Sequence, residues 1–229
     1  MHSSKAKISI IIPVLNEAGI IAKTINSTQT GQNIEIIVSD GGSADSTAEI
    51  AKKAGAKVIN SPKGRALQMN AGVSIATGEI LLFLHADTVL SPGYDSMIRQ
   101  ALQQTQTVAG AFELQIDGLH PGLRMVETAV NWRSRWLQMP YGDQAIFMPT
   151  QLFKQLGGFP EMPIMEDFAM IQKLQRQGKI NIVKLPVLTS DRRWHKNGIL
   201  KTTAINQLVI LGYFLGVPPA SLADWYRHL

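Results

Sequence analysis

Through the first ninety positions, apolar residues come in short runs separated by stretches of helical pattern. "KISIIIPVL" (7–15), "IEIIVSD" (34–40), "AKVINS" (56–61) and "EILLFLHAD" (79–87) are rich in Ile, Val and Leu and apolar on both faces. Such runs predict parallel strands covered by helices on both sides. Between them, residues 17–29 carry Ile20, Ile21, Thr24 and Ile25 at helical spacing. Residues 45–54 open on "ADSTAEI", with Asp45 as a candidate cap, and residues 65–76 run from "GRALQMNAG" to a stop at Gly78. The alternation predicts an α/β fold with an open, mostly parallel, twisted sheet.

The second half is less regular. Strands are predicted over 109–117, 143–149 and 180–188, and helices over 121–138, 150–156, 166–177 and 199–215. No repeat, low-complexity tract or linker divides the chain, so a single domain over residues 1–229 is expected. The ten-residue run "LVILGYFLGV" (208–217) is too short for a span of about 20 residues. It reads as a core helix or an interfacial one, with core preferred.

Bulk properties narrow the partners. Apolar residues make up 45% of the chain and charged ones 17%, enough for a substantial core. The net charge of +5 favours acidic ligands, but the basic residues are scattered, which argues against a nucleic-acid patch. There is no cysteine, so disulfides and thiolate chemistry are excluded. "MHSSKAKISIIIPVLNE" lacks the long apolar stretch of a signal peptide. A cytoplasmic location is expected, with peripheral membrane contact open.

Polar residues cluster where the predicted strands end: Pro13, Asn16 and Glu17 after the first, "SDGGSADST" after the second, His85 and Asp87 after the fourth. Open α/β sheets bind ligands outside the carboxyl ends of their strands. Each cluster also has a plain structural reading as a helix start, a glycine turn or a cap. Their joint placement carries the functional reading. "DGGSAD" is neither a dinucleotide fingerprint nor a Walker A loop.

In order and spacing, "SIIIPVLNE", "VSDGGSADST", "GRALQMNAG", "LLFLHADT", "GDQAIF", "MEDFAM" and "RRW" resemble the family-2 glycosyltransferases with the GT-A fold. The likeness is closest to short bacterial members without a membrane-spanning tail. It implies a nucleotide-binding half at 1–90 and an acceptor-binding half at 91–229 with a C-terminal helix. It implies that Pro13, Asn16, Glu17, Asp40 and Gly41 hold base and ribose, and that Arg65 approaches the diphosphate. Asn70, on another face of that helix, is a weaker candidate.

The family's Asp-x-Asp reads here as His85-Ala86-Asp87. Asp87 matches the last position and is the implied ligand of a divalent metal, Mn²⁺ or Mg²⁺, bridging the donor phosphates. His85 departs from the pattern. It either ligates, tilting the choice toward Mn²⁺, or hydrogen-bonds the ribose beside Ala86, the preferred reading. The implied reaction moves a sugar from a nucleotide-diphospho-sugar, UDP- or GDP-linked, to an acceptor hydroxyl with inversion. The acceptor is open: a sugar, a lipid-linked molecule or a small molecule.

Inversion needs a general base. The family's Glu-Asp motif assigns that role to Asp167, with Glu166 orienting it or meeting the acceptor. Neighbours on a helix point about 100° apart, so one of the two carboxylates faces a pocket. Asp143 and Trp194 fall on the implied acceptor side. His195 is a weak candidate metal ligand on a closing loop. Two other readings stand beside the transferase, a sugar nucleotidyltransferase and a non-catalytic nucleotide-binding scaffold.

Overall fold

The structure is a computed structural model that describes residues 5–228. One eight-stranded sheet organises it, in the order β3-β2-β1-β4-β7-β6-β8-β5. Strands β1 (Ile8–Val14), β2 (Ile34–Asp40), β3 (Lys57–Asn60) and β4 (Ile80–Phe83) pair in parallel, joined through helices α1 (Ile21–Thr28), α2 (Thr47–Lys53) and α3 (Arg65–Ser74). Then follow β5 (Thr88–Val89), α4 (Tyr94–Gln103), β6 (Thr107–Asp117) and α5 (Pro121–Leu137). β7 (Phe147–Pro149) lies antiparallel between β4 and β6, and β8 (Lys179–Ser190) pairs parallel to β6 and antiparallel to β5. Helices α6 (Thr150–Gln155) and α7 (Glu166–Gln175) precede β8, and α8 (Arg192–Asn197), α9 (Ile199–Phe214) and α10 (Pro219–His228) follow it.

The all-apolar strands make sense because the sheet has a core on each face. Ile8, Ile10 and Ile12 of β1 join Ile36, Val38, Ile80 and Leu82 in one core, against Ile21, Ile25 and Ile98. Ile11 points the other way and joins Ile37, Leu81 and Phe83, against Met69, Phe153 and Ile171. A strand's side-chain period of two therefore distributes one hydrophobic run between two buried layers.

Several predicted bounds change. The helix placed at 17–29 begins only at Ile21, because residues 17–20 form a turn closed by Glu17 carbonyl. The strand placed at 79–87 ends at Phe83, and Thr88–Val89 form a separate short strand. The strand placed at 143–149 is a 3-10 turn over Gly142–Gln144 followed by β7. Helices α8 and α10 were not foreseen.

The 208–217 run is the main correction. Val209 packs with Phe168, Ile205 and Leu222 in a third core. Leu208, Leu211, Phe214 and Leu215 on the same run are more than half exposed, so the core reading holds for one face only. Among the described residues no helix is long and apolar enough to cross a membrane.

One buried polar knot ties the base of the parallel strands. Glu35 on β2 accepts hydrogen bonds from the Ser9 hydroxyl at 2.6 Å and from the Thr77 amide and hydroxyl at 2.7 and 2.9 Å. Lys7 and Lys57 both lie 3.3 Å from its second oxygen. Burial raises the pKa of this carboxyl, but the donors outweigh it and hold the group down at about 2. A depressed acid contributes stability above its unfolded value, and loses it as pH falls through the folded one. Glu35→Gln is expected to cost about 2 kcal/mol at pH 7 and to flatten the loss of stability between pH 5 and about 2. Urea unfolding at several pH values measures both.

Candidate active site

Because β1, β2 and β4 run parallel, their carboxyl ends open on one edge of the sheet. The loops there are held by their own polar residues. Asp40 Oδ1 accepts from the Gly42 and Ser43 amides at 3.1 and 2.8 Å and from the Ser43 hydroxyl at 2.8 Å. Asn16, at φ 56°, donates its amide to Ser43 Oγ and accepts from the Ala44 amide at 2.8 Å. These atoms of Asn16 and Asp40 shape the rim, and neither residue lines the two cavities described below. Gly41 lies against Gln68, whose side chain a Cβ would meet at 3.0 Å. Buried Gln68 donates from Nε2 to the Val14 and Ser39 carbonyls at 2.7 and 3.0 Å, fastening the tips of β1 and β2 together.

At the end of β4 the chain turns sharply. The Thr88 amide donates to the His85 carbonyl at 3.2 Å, and the Thr24 hydroxyl donates to the Ala86 carbonyl at 2.6 Å. Ala86 packs into the core and also touches the cleft, which His85 and Asp87 border on either side of it. A cavity of about 310 Å³ is lined by Pro13, Glu17, Gln68 and Ala86. A second, of about 340 Å³, is lined by Tyr141, Asp143, Asp167 and Arg193. Arg65, His85, Asp87 and Arg192 line both, so the two chambers meet at these four side chains.

The charges around the junction are paired unequally. Arg192 donates to both oxygens of Glu17 at 3.0 and 3.3 Å and reaches Asp87 at 3.4 Å. Burial raises the pKa of Asp87, against the pull of Arg192. His85 is pressed down to about 3 by burial and by Arg65, which makes it a neutral imidazole at physiological pH. Asn70, expected to be a weak ligand, instead holds the Phe159 backbone from both ends of its amide at 2.9 and 3.0 Å.

The carboxylate pair on α7 divides as the 100° offset requires. Glu166 is buried and binds Arg65 at 3.1 Å, and it does not line the 340 Å³ cavity. Asp167 lines that cavity. Its Oδ2 accepts from the Gly142 amide and its Oδ1 from the Phe168 amide, both at 2.7 Å. The helix starts from Met165 at φ 70°, and the turn that supplies Gly142 ends in Ala145 at φ 51°. Asp143 has its Oδ1 enclosed with no hydrogen-bond partner. Burial drives its pKa up to about 6, opposed by Arg133 and reinforced by Asp167 and Asp87.

Trp194 also borders the 340 Å³ cavity. His195, on the same helix, does not: it lines a separate cavity with His120, Leu123 and Asp191. The structure therefore does not bring His195 to Asp87. Sequence reasoning passed over Gln68, Tyr141 and the role of Arg192. Gln68 stands one helical turn after Arg65, on the same face of α3, and that spacing was its available signal.

Among the described residues, no three His, Asp or Glu side chains converge to cage a metal ion. One carboxylate at the junction still fits Mg²⁺ or Mn²⁺, ions that take one or two protein carboxylates and fill their shells with phosphate oxygens and water. Asp87 would be that ligand, since its present partner is a single arginine at 3.4 Å.

The family model described as "Glycosyl transferase family 2" matches residues 9–155, a stretch that includes every residue of the rim and junction except Arg192. The chain belongs to glycosyl transferase family 2. A curated relative, an uncharacterized glycosyltransferase of Nostoc sp., is 32% identical over 48% of this chain and 37% of its own length. The chain spans well under half the length of the curated relatives it matches. Among solved structures, glucosyl-3-phosphoglycerate synthase from Mycobacterium tuberculosis, with Mn²⁺, UDP and glucosyl-3-phosphoglycerate, matches with TM-score 0.67 at 20% identity, over 93% of this chain and 81% of that one. A mannosyltransferase from Pyrobaculum calidifontis, with GDP-Man and Mn²⁺, matches with TM-score 0.68 at 18% identity, over 89% and 62%. These likenesses establish the GT-A fold for this family-2 chain.

Two outcomes follow from the geometry. A Cβ at Gly142 would sit 2.9 Å from His85 Nε2 and 3.0 Å from Asp167 Oδ2. Gly142→Ala should push both groups out of place and lower turnover about a hundredfold, with little change in melting temperature. Asp143, by contrast, keeps in the fold a proton that the unfolded chain releases above its ordinary value of 3.8. The contribution of Asp143 to stability should therefore fall as pH rises from about 4 to about 6. Asp143→Asn should remove about 2 kcal/mol of that fall, read from unfolding midpoints across this range.

Proposed function

We propose that this family-2 enzyme transfers a sugar from a UDP- or GDP-linked donor to an acceptor hydroxyl, with inversion and with Asp167 as general base. The observation that carries the reading is the shared junction: two chambers meet at Arg65, His85, Asp87 and Arg192, and Asp167 stands in the second. The first chamber, under the tips of β1 and β4, suits the nucleotide. The second suits the donor sugar and the acceptor. Two fold neighbours carry Mn²⁺ with UDP or GDP-mannose, which supports a nucleotide-sugar donor and a divalent ion here.

In this scheme the acceptor oxygen attacks the anomeric carbon from the face opposite the leaving group. The bond from that carbon to the phosphate oxygen breaks, and the nucleoside diphosphate departs. Asp167 takes the acceptor proton, its carboxylate kept in register by the Gly142 amide. Arg65, anchored by buried Glu166, places a fixed cation beside the diphosphate. Neutral His85 offers a hydrogen bond without adding charge. A divalent ion on Asp87 would supply Lewis-acid neutralisation of the leaving diphosphate.

Thermal-shift measurements with UDP and with GDP, each with Mn²⁺ or EDTA, test the nucleotide half. Metal-dependent stabilisation by one nucleotide is expected, and indifference to both would overturn the nucleotide half of the reading. Consumption of that nucleotide's sugar donors tests the base: Asp167→Asn should lower the rate about 10²- to 10⁴-fold with donor affinity retained. Wild-type rates in the variant would remove Asp167 from the chemistry.

A further inference from the structure

A fourth cavity adjoins the chamber that holds Asp167. It is a groove of about 900 Å³ between α5 and α9, lined by Met125, Ala129, Val130 and Trp132 on one wall and Thr203 and Gln207 on the other. Tyr141, Asp143, Trp194 and Asn206 line both this groove and the chamber that holds Asp167. The two spaces therefore adjoin at these four side chains.

Two features bear on its contents. The groove exposes chiefly apolar side chains, with Arg124 and Arg133 beside them, and Asp143, shared with the chamber that holds Asp167, is the one acid that borders it. The described residues hold four buried side-chain polar atoms without a hydrogen-bond partner, and three of them, Asp143 Oδ1, Trp194 Nε1 and Thr203 Oγ1, belong to residues lining this groove. Buried polar groups are nearly always paired in folded proteins, so such a concentration at one place marks a position completed by something else. All three atoms are sealed from solvent as they stand, and an apolar groove beside them and beside the chamber that holds Asp167 matches a molecule with a long apolar part and a polar end that pairs them as those side chains turn. The outer rim agrees: Met125 and Trp132 are 75% and 59% exposed.

We infer that the acceptor is an amphiphile whose apolar chain lies in the groove between α5 and α9 and whose hydroxyl end enters the catalytic chamber past Asp143 and Trp194. The inference rests on the transferase reading and names its acceptor class. A free sugar would leave the groove empty, and a flat membrane-docking face would not need a groove adjoining the chamber. The apolar chain supplies binding through burial, and the shared residues set how far the hydroxyl advances toward Asp167.

The test uses monomeric methyl, hexyl, octyl and decyl glucosides below their micelle concentrations, titrated calorimetrically into the whole protein without nucleotide. Affinity should rise about threefold per added methylene once the chain is long enough to lie in the groove. Ala129→Trp, from an exposed helical position, and Gln207→Trp, from the opposite wall, should each flatten that rise. The nucleotide-induced thermal shift, read at the far chamber, should stay at its wild-type size in both. A wild-type affinity that ignores chain length overturns the inference, as does a rise unchanged in both variants. Binding to vesicles of anionic phospholipid with no chain-length response to the monomeric glucosides also overturns it. The nucleotide shift reports on the transferase reading and the chain-length response on the groove, so the two can fail separately.

Discussion

Parallel pairing of β1 with β2 and β4, with a hydrophobic layer on each face, leaves no room for a charge along those strands. The exception proves costly to build: Glu35 needs two hydroxyls, an amide and two lysines around it. Charged and polar chemistry is otherwise driven to the strand tips, where the chain turns out of the sheet. Asp40 and Asp87 lie at such tips, and Gln68 fixes the spacing between two of them by holding the Val14 and Ser39 carbonyls. The junction of the two chambers is a consequence of that exclusion.

Three acids near the junction share one kind of headgroup and live in different surroundings. Glu166 is buried against a guanidinium, Asp167 is held by two backbone amides, and Asp143 is enclosed without a donor for Oδ1. Such environments set carboxyl groups apart by charge state and mobility, so that one can fix a cation while another stays available to a ligand. Asp143 is the least satisfied of the three, and it borders both the chamber that holds Asp167 and the groove between α5 and α9.

The parallel half of the fold was readable because its signals are local: runs of Ile and Val, helical spacing between them, polar residues at the ends. The 100° rule separated Glu166 from Asp167 before any coordinates. What sequence could not show was pairing across long separations. Arg192 meets Glu17 across 175 positions and Arg65 meets Glu166 across 101, and no periodicity encodes such contacts. Asn16 and Asp40 were read as ligands through the family resemblance, and what the motif could not show is their bonding within the rim, Asp40 to its own turn and Asn16 to the loop that carries Ser43 and Ala44. The exposed flank of 208–217 escaped for a related reason. A hydrophobic run gives the energy available from burial without saying whether the rest of the chain can cover it.

Met165 and Ala145 hold left-handed backbone with full side chains, one at the root of α7 and the other just past the turn that carries Gly142 and Asp143. Residues in that region are strained by roughly 1–2 kcal/mol each relative to ordinary conformations. The two supports of Asp167 therefore begin from a higher energy than the isoleucine-packed strands beneath them. On warming, these segments have less reserve than those strands, and the surroundings of Asp167 should loosen while most of the sheet is still intact.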